Sequence, residues 1–167
     1  MKRQKWFDKN LSEDHYGSVL KKLRETPEKI AQLVAPLPEE VLTNRTDNRW
    51  SIKENIGHLI DLEELHDGRI DDFINGKEVL RSADLNNRKT DEANHNNRKI
   101  GDLLRQLKEA RENFVKRMKH LDLKILSHSS KHPRLNQPMR PIDMAQFVLE
   151  HDEHHIQTIK ELIYQLT

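Results

Sequence analysis

Residues 141–165 read PIDMAQFVLEHDEHHIQTIKELIYQ, and this stretch decides the fold. Pro141 suits the first position of a helix. At 3.6 residues per turn, Met144, Ala145, Val148, Leu149, Ile156, Ile159, Leu162, Ile163 and Leu166 fall on one broad apolar arc. His151 and His155, one turn apart, project within that arc, and His155 shares its azimuth with Met144, Val148 and Leu162. His154 lies at the edge, near Phe147, and Glu153 points away. A long helix with two imidazoles on its inward face needs other helices to pack against, and the imidazoles need a shared partner.

Those other helices are legible upstream. Ser12-Glu13-Asp14 is a helix start with acids in the first turn, and the helix runs to about Val34. Thr26-Pro27 reads as a break where a new helix begins. Ser51 with Glu54 three residues on is a capping box, opening a second helix that Asn75-Gly76 terminates. Residues 77–97 form a long polar connection. A third helix spans about Lys99 to His120, with Leu103, Leu104, Leu107, Phe114, Val115 and Met118 as its buried set, and 127–140 form a second loop. Residues 1–11 read as an N-terminal arm anchored by Trp6 and Phe7. The expectation is an all-α protein, one four-helix bundle domain over residues 1–167, with a short arm and two long loops.

Composition narrows the function. Lys plus Arg is 29 against 28 for Asp plus Glu, and the signs are interleaved, so no basic stripe exists for nucleic acid. The chain has no cysteine, which excludes disulfides, thiolate ligands and a cysteine nucleophile, and fits the cytoplasm. No stretch is apolar enough for a membrane span, and Met1-Lys2-Arg3-Gln4-Lys5-Trp6, with no apolar core behind it, does not read as a signal peptide. The partner expected is a small molecule. Nucleotide-binding glycine loops, G-x-S-x-G and H-E-x-x-H are all absent.

The second helix supplies a third histidine. Ile52, Ile56, Leu59, Leu62, Ile70, Phe73 and Ile74 mark its buried face, and His58 falls between Leu62 and Leu65 inside that arc. Ten histidines make one H-x-x-x-H pair easy to obtain by chance, and one inward histidine is ordinarily a hydrogen-bonded core residue. Burying three imidazoles without a shared partner would cost on the order of 1–3 kcal/mol each. A divalent metal answers that cost, and three protein ligands with one open position is the pattern of catalytic sites. Metal affinity should weaken below about pH 6–6.5, where ordinary imidazoles protonate. Asp152 also falls in the apolar arc, either orienting a ligand histidine or pairing at the rim with a Lys or Arg. Asp61 sits at the polar boundary and reads as solvated, and His66 as a core or interface histidine. His95, His128 and His132 lie in loops that could cap the pocket, and ordinary turn positions are the alternative for each.

Trp50-Ser51-Ile52-Lys53-Glu54-Asn55-Ile56-Gly57-His58-Leu59 resembles the W-S-x-x-E-x-x-x-H-L signature of the DinB-like (YfiT-like) metalloprotein superfamily. Glu150-His151-Asp152-Glu153-His154-His155 resembles its C-terminal helix motif, and residues 83–90 and 132–140 are also similar. The resemblance implies an up-down-down-up four-helix bundle binding nickel or zinc through His58, His151 and His155. It further implies a metal-dependent hydrolase or a transferase using a low-molecular-weight thiol, often as a homodimer. Family members commonly continue H-x-G-Q, whereas here Ile156-Gln157-Thr158 follow His155. A non-catalytic metal or small-ligand binding bundle, and a plain interaction bundle without metal, are the competing readings.

Overall fold

The computed structural model describes residues 12–167; the N-terminal arm lies outside the described residues. Four long helices form the bundle: α1 (Glu13–Val34), α3 (Ile52–Ile74), α5 (Ile100–Lys119) and α7 (Pro141–Leu166). Short helices α2 (Glu39–Thr43), α4 (Arg88–Glu92) and α6 (Leu123–Ser127) and a single 3-10 turn (His95–Asn97) punctuate the connections. Strands β1 (Ser130–Lys131) and β2 (Pro138–Met139) pair antiparallel, so the second loop is a hairpin rather than featureless chain.

α1 and α3 sit on one diagonal, each packed on α5 and α7. The cross-links fix the directions. Arg111 bonds Glu63 and Arg117 bonds Asp67 and Asp71, so α3 and α5 run parallel. Tyr16 donates to the Met118 carbonyl and Arg111 to that of Leu23, so α1 opposes α5. Asn55 meets His155, and His58 meets His151, so α7 opposes α3. This is the up-down-down-up order. Two parallel neighbours consecutive in sequence force the chain back along the bundle, which is why the connection after α3 is long.

Local signals place the helices as expected, with one exception. Ser51 accepts from the Glu54 amide while the Glu54 carboxylate accepts from the Ser51 amide, and Arg45 holds the same carboxylate. The Thr26-Pro27 break does not occur: α1 is continuous through Pro27. Proline's missing N–H frees the carbonyl four residues earlier, and that carbonyl, Leu23 O, accepts from Arg111 Nη1 at 3.3 Å. The interior proline is tolerated because a side chain from α5 replaces the lost donor.

The core is two apolar clusters, one around Leu20, Leu23, Phe114 and Val148, the other around Ile30, Ile56, Leu107 and Ile159. Between them lies a buried polar belt of Glu63, His66, Arg111 and Asp152. Leu104, expected in the core, is only partly buried, and Arg111 occupies that face instead at 1% exposure. Arg111 is gripped bidentately by Asp152 and forks onto Glu63 Oε1 at 2.8 and 3.0 Å. Burial alone would raise the Glu63 pKa, but the adjacent guanidinium holds it below the usual range. No helix of the described residues is long and apolar enough to cross a membrane.

Candidate metal centre

His58 from α3 and His151 and His155 from α7 converge, each offering one ring nitrogen within 4.8 Å of the others. His155 Nε2 lies 3.3 Å from His151 Nε2. His58 and His155 are buried and His151 is partly exposed. The trio is the one that helical phase selects, and the exposed His154 stands outside it.

Hydrogen-bond arithmetic fixes two of the three tautomers. Asn55 donates its amide nitrogen to the carbonyls of Trp50 and Ser51, so its oxygen faces His155 and accepts from Nδ1–H at 2.8 Å. The Thr90 hydroxyl has one proton and gives it to Asp61 Oδ2 at 2.9 Å. Thr90 Oγ1 must therefore accept from His58 Nδ1–H, 3.1 Å away. Both rings are left with an Nε2 lone pair, the form a metal requires. Oriented imidazoles backed by an amide oxygen or a hydroxyl–carboxylate chain are what metal-binding histidines normally show. The donor set thus fits a divalent transition ion.

Asp61 is half-buried and hydrogen-bonded rather than freely solvated. It accepts from Thr90 and from His95 Nε2–H at 2.9 Å. Burial pushes its pKa up, but these two hydrogen bonds outweigh burial and keep it ionised. His95 is buried behind Asp61 rather than on the cavity wall, pressed so close to α3 that a Cβ on Gly57 would run into its ring. Asn87 and Asn94 adopt left-handed backbone (φ 53° and 55°), which Asn tolerates, and these bends aim Thr90 and His95 at α3. Thr90 was not singled out from sequence; its signal is only a hydroxyl in a polar loop.

The remaining expectations divide. Asp152 pairs with an arginine, as the second reading expects, but in the core rather than at the rim: it is 1% exposed and bonded to Arg111. His128 is exposed, just after α6, and lines no part of the cleft. His132 is buried and does line it, its Nδ1 accepting from the Leu135 amide at 3.1 Å. His66 lines the cleft too, with Nδ1 3.7 Å from Glu63.

The histidines open on a cleft of about 730 Å³, walled by Trp50, Leu62, Leu65 and Phe147. The Trp50 ring covers His58 at 4.6 Å between centroids and is tied to Asp91 through Nε1–H. Burial lowers the pKa of His58 to about 4, of His151 to about 3 and of His155 to about 2, and that of His132 to about 4. With these rings neutral further into acid, the fall in metal affinity should set in below pH 6–6.5.

Residues 22–159 match the DinB superfamily model. The chain belongs to the DinB superfamily. Among solved structures, YfiT from Bacillus subtilis, described as a probable metal-dependent hydrolase with an unusual four-helix bundle topology, superposes with a TM-score of 0.84. The identity is 18%, over 96% of this chain and 92% of that one. A mycothiol-dependent maleylpyruvate isomerase superposes at 0.69 with 9% identity, over 86% of this chain and 60% of that one. No curated protein matches the sequence. These likenesses establish the DinB fold.

Two expected results follow from the geometry. Thr90→Val removes the acceptor for His58 Nδ1–H while keeping the shape. It should weaken metal binding about 10–100-fold with little change in unfolding midpoint, as measured by competition with a chromophoric chelator; unchanged affinity would separate the Thr90–Asp61 chain from the site. The second concerns pH. In metal-free protein the imidazoles of His58, His132, His151 and His155 take up protons near pH 6.5 when unfolded, while in the folded chain they stay neutral to about 4 or below. Stability should therefore be greatest above pH 6.5 and decline as pH falls towards 4. Urea midpoints at pH 7.5 and 5.0 in chelator test this, and equal midpoints would contradict it.

Proposed function

We propose that this DinB-superfamily protein is a metal-dependent enzyme acting on a small molecule, by hydrolysis or by transfer of a low-molecular-weight thiol. The observation that carries the reading is the convergence of three neutral histidines at the wall of an open cleft, with no fourth His, Cys, Asp or Glu joining the group among the described residues. His58, His151 and His155 would hold the ion, nickel or zinc. When bound, it supplies Lewis-acid polarisation and lowers the pKa of a water or thiol.

The chain's own groups do the rest. The Thr90–Asp61–His95 series holds the His58 proton on Nδ1, and Asn55 does the same for His155. Trp50, Leu62, Leu65 and Phe147 give the cleft beside the histidines apolar walls, which lower the local dielectric and strengthen its electrostatics. YfiT's description supports the hydrolytic version and the mycothiol-dependent isomerase the thiol version. Cobalt-substituted protein distinguishes them: intense thiolate-to-metal bands on adding small thiols mark the thiol route. Ester or amide turnover with no thiol perturbation marks hydrolysis. Failure of the protein to take up any divalent transition metal would overturn both.

A further inference from the structure

Arg69 is a buried cation that the metal centre leaves unexplained. It is 2% exposed. Its Nε–H donates to the Arg81 carbonyl at 3.1 Å, and among the described residues no carboxylate forms an ion pair with it. A guanidinium this deeply buried is ordinarily paired; Arg111, equally buried, has two carboxylates and a carbonyl. The acid nearest in sequence, Asp72, is taken by Arg81, whose Nη2 and Nε lie 2.9 and 3.1 Å from its two oxygens. Gly68 permits that arrangement, since a Cβ there would collide with the Arg81 guanidinium. Burial pulls the Arg69 pKa down to about 10 against the through-space pull of Asp72, with Arg134 and Arg81 adding to the fall, and the group stays charged at neutral pH.

Arg69 lines the same cleft as the histidines. His58, Leu62, Leu65 and Arg69 form one helical stripe, since eleven residues at 3.6 per turn bring Arg69 to within about 20° of the azimuth of His58. The two are about 16 Å apart along the axis, so the cleft joins a cationic end to the histidine end. Arg134 adds a second cation at the rim, carried there by the hairpin, which bonds to residues 78–80 of the first loop. Asp84 is the one acid among the described lining residues, and its oxygens accept from the Asn86 and Arg88 amides.

We propose that this end of the cleft is an oxyanion subsite, in which Arg69, with Arg134 at the rim, receives a carboxylate or phosphate of a small elongated substrate whose middle lies on Leu62 and Leu65. That the reacting group lies at the three histidines rests on the function proposed above; the anion site itself does not.

The test titrates hexanoate, hexyl phosphate and neutral hexanamide into the protein as purified, and again after chelation. The readouts are the Arg69 Nε–H resonance and the thermal midpoint. At least one anion should bind about 10-fold or more tighter than the amide, with and without metal, and should move the Arg69 signal; the tighter anion identifies the source. Arg69→Met should abolish the preference, Arg69→Lys should keep part of it, and Arg134→Gln, at an exposed position, should reduce it several-fold. If Arg69→Met does not fold, the Arg69 signal and Arg134→Gln decide. Equal binding of amide and anions, or a preference untouched by Arg134→Gln with an unmoved Arg69 signal, would overturn the subsite. A preference lost only on chelation would also overturn it, by placing the anion on the metal. Absence of metal uptake with the preference intact would instead count against the metal centre alone.

Discussion

Substituting His151→Ala should take bound divalent metal from near one equivalent to less than about a tenth, while leaving the fold intact. His151 is one of three nitrogens that could ligate, and it is partly exposed, so its loss opens no large core cavity. The neighbouring His154→Ala should leave the metal content unchanged, since His154 is exposed and outside the cluster. Elemental analysis of protein purified without a histidine tag makes the comparison. The paired result matters because both variants delete one imidazole from the same helical turn. Equal loss in both would mean adventitious binding by a histidine-rich surface, and no loss in either would mean that the cluster does not hold the metal. Bound metal also stabilises by mass action, so wild type and His154→Ala should lose thermal stability on chelation, whereas His151→Ala should not.

The second large effect is on stability. Arg111→Met should destabilise the protein by about 3–5 kcal/mol, a fall in Tm of roughly 6–20 °C for a chain of this size. The substitution nearly conserves volume, but it leaves Glu63 and Asp152 buried and uncompensated and the Leu23 carbonyl without its donor. The triple variant Arg111→Met, Glu63→Leu, Asp152→Leu should recover much of the loss, because replacing a whole buried ionic cluster by apolar groups is often neutral or stabilising. Urea denaturation of the single and triple variants tests this. A single variant within about 0.5 kcal/mol of wild type would mean that the belt is hydrated and carries little of the stability.

Much of this molecule can be read in one dimension. The capping box at Ser51, the terminator at Asn75-Gly76 and the apolar arcs of the long helices are local signals, set by hydrogen bonds and side-chain phase within a few turns. The same phase selects His58, His151 and His155 and sets His154 aside, because helical geometry fixes which side chains share a face before any partner is known. What periodicity could not supply was the pairing of polar groups across helices. Arg111 sits at the apolar phase between Leu107 and Phe114, yet a charge there becomes intelligible only when Glu63 and Asp152 arrive from two other helices. Asp61 looked solvated for the same reason: the loop that buries it comes from residues 87–97, whose path depends on two left-handed asparagines.

Pro27 shows the boundary most clearly. Read alone, Thr26-Pro27 is a helix start, and only the distant Arg111 guanidinium, by accepting the role of the missing N–H donor, lets α1 continue. The sequence by itself therefore determined three of the four long helices, most of their inward faces and the histidines on them, since these follow from local backbone geometry. The tertiary structure decided the tautomers of His58 and His155 and the partner of Asp152, because a hydrogen bond or ion pair across 30 to 100 residues exists only once packing has brought its two ends together.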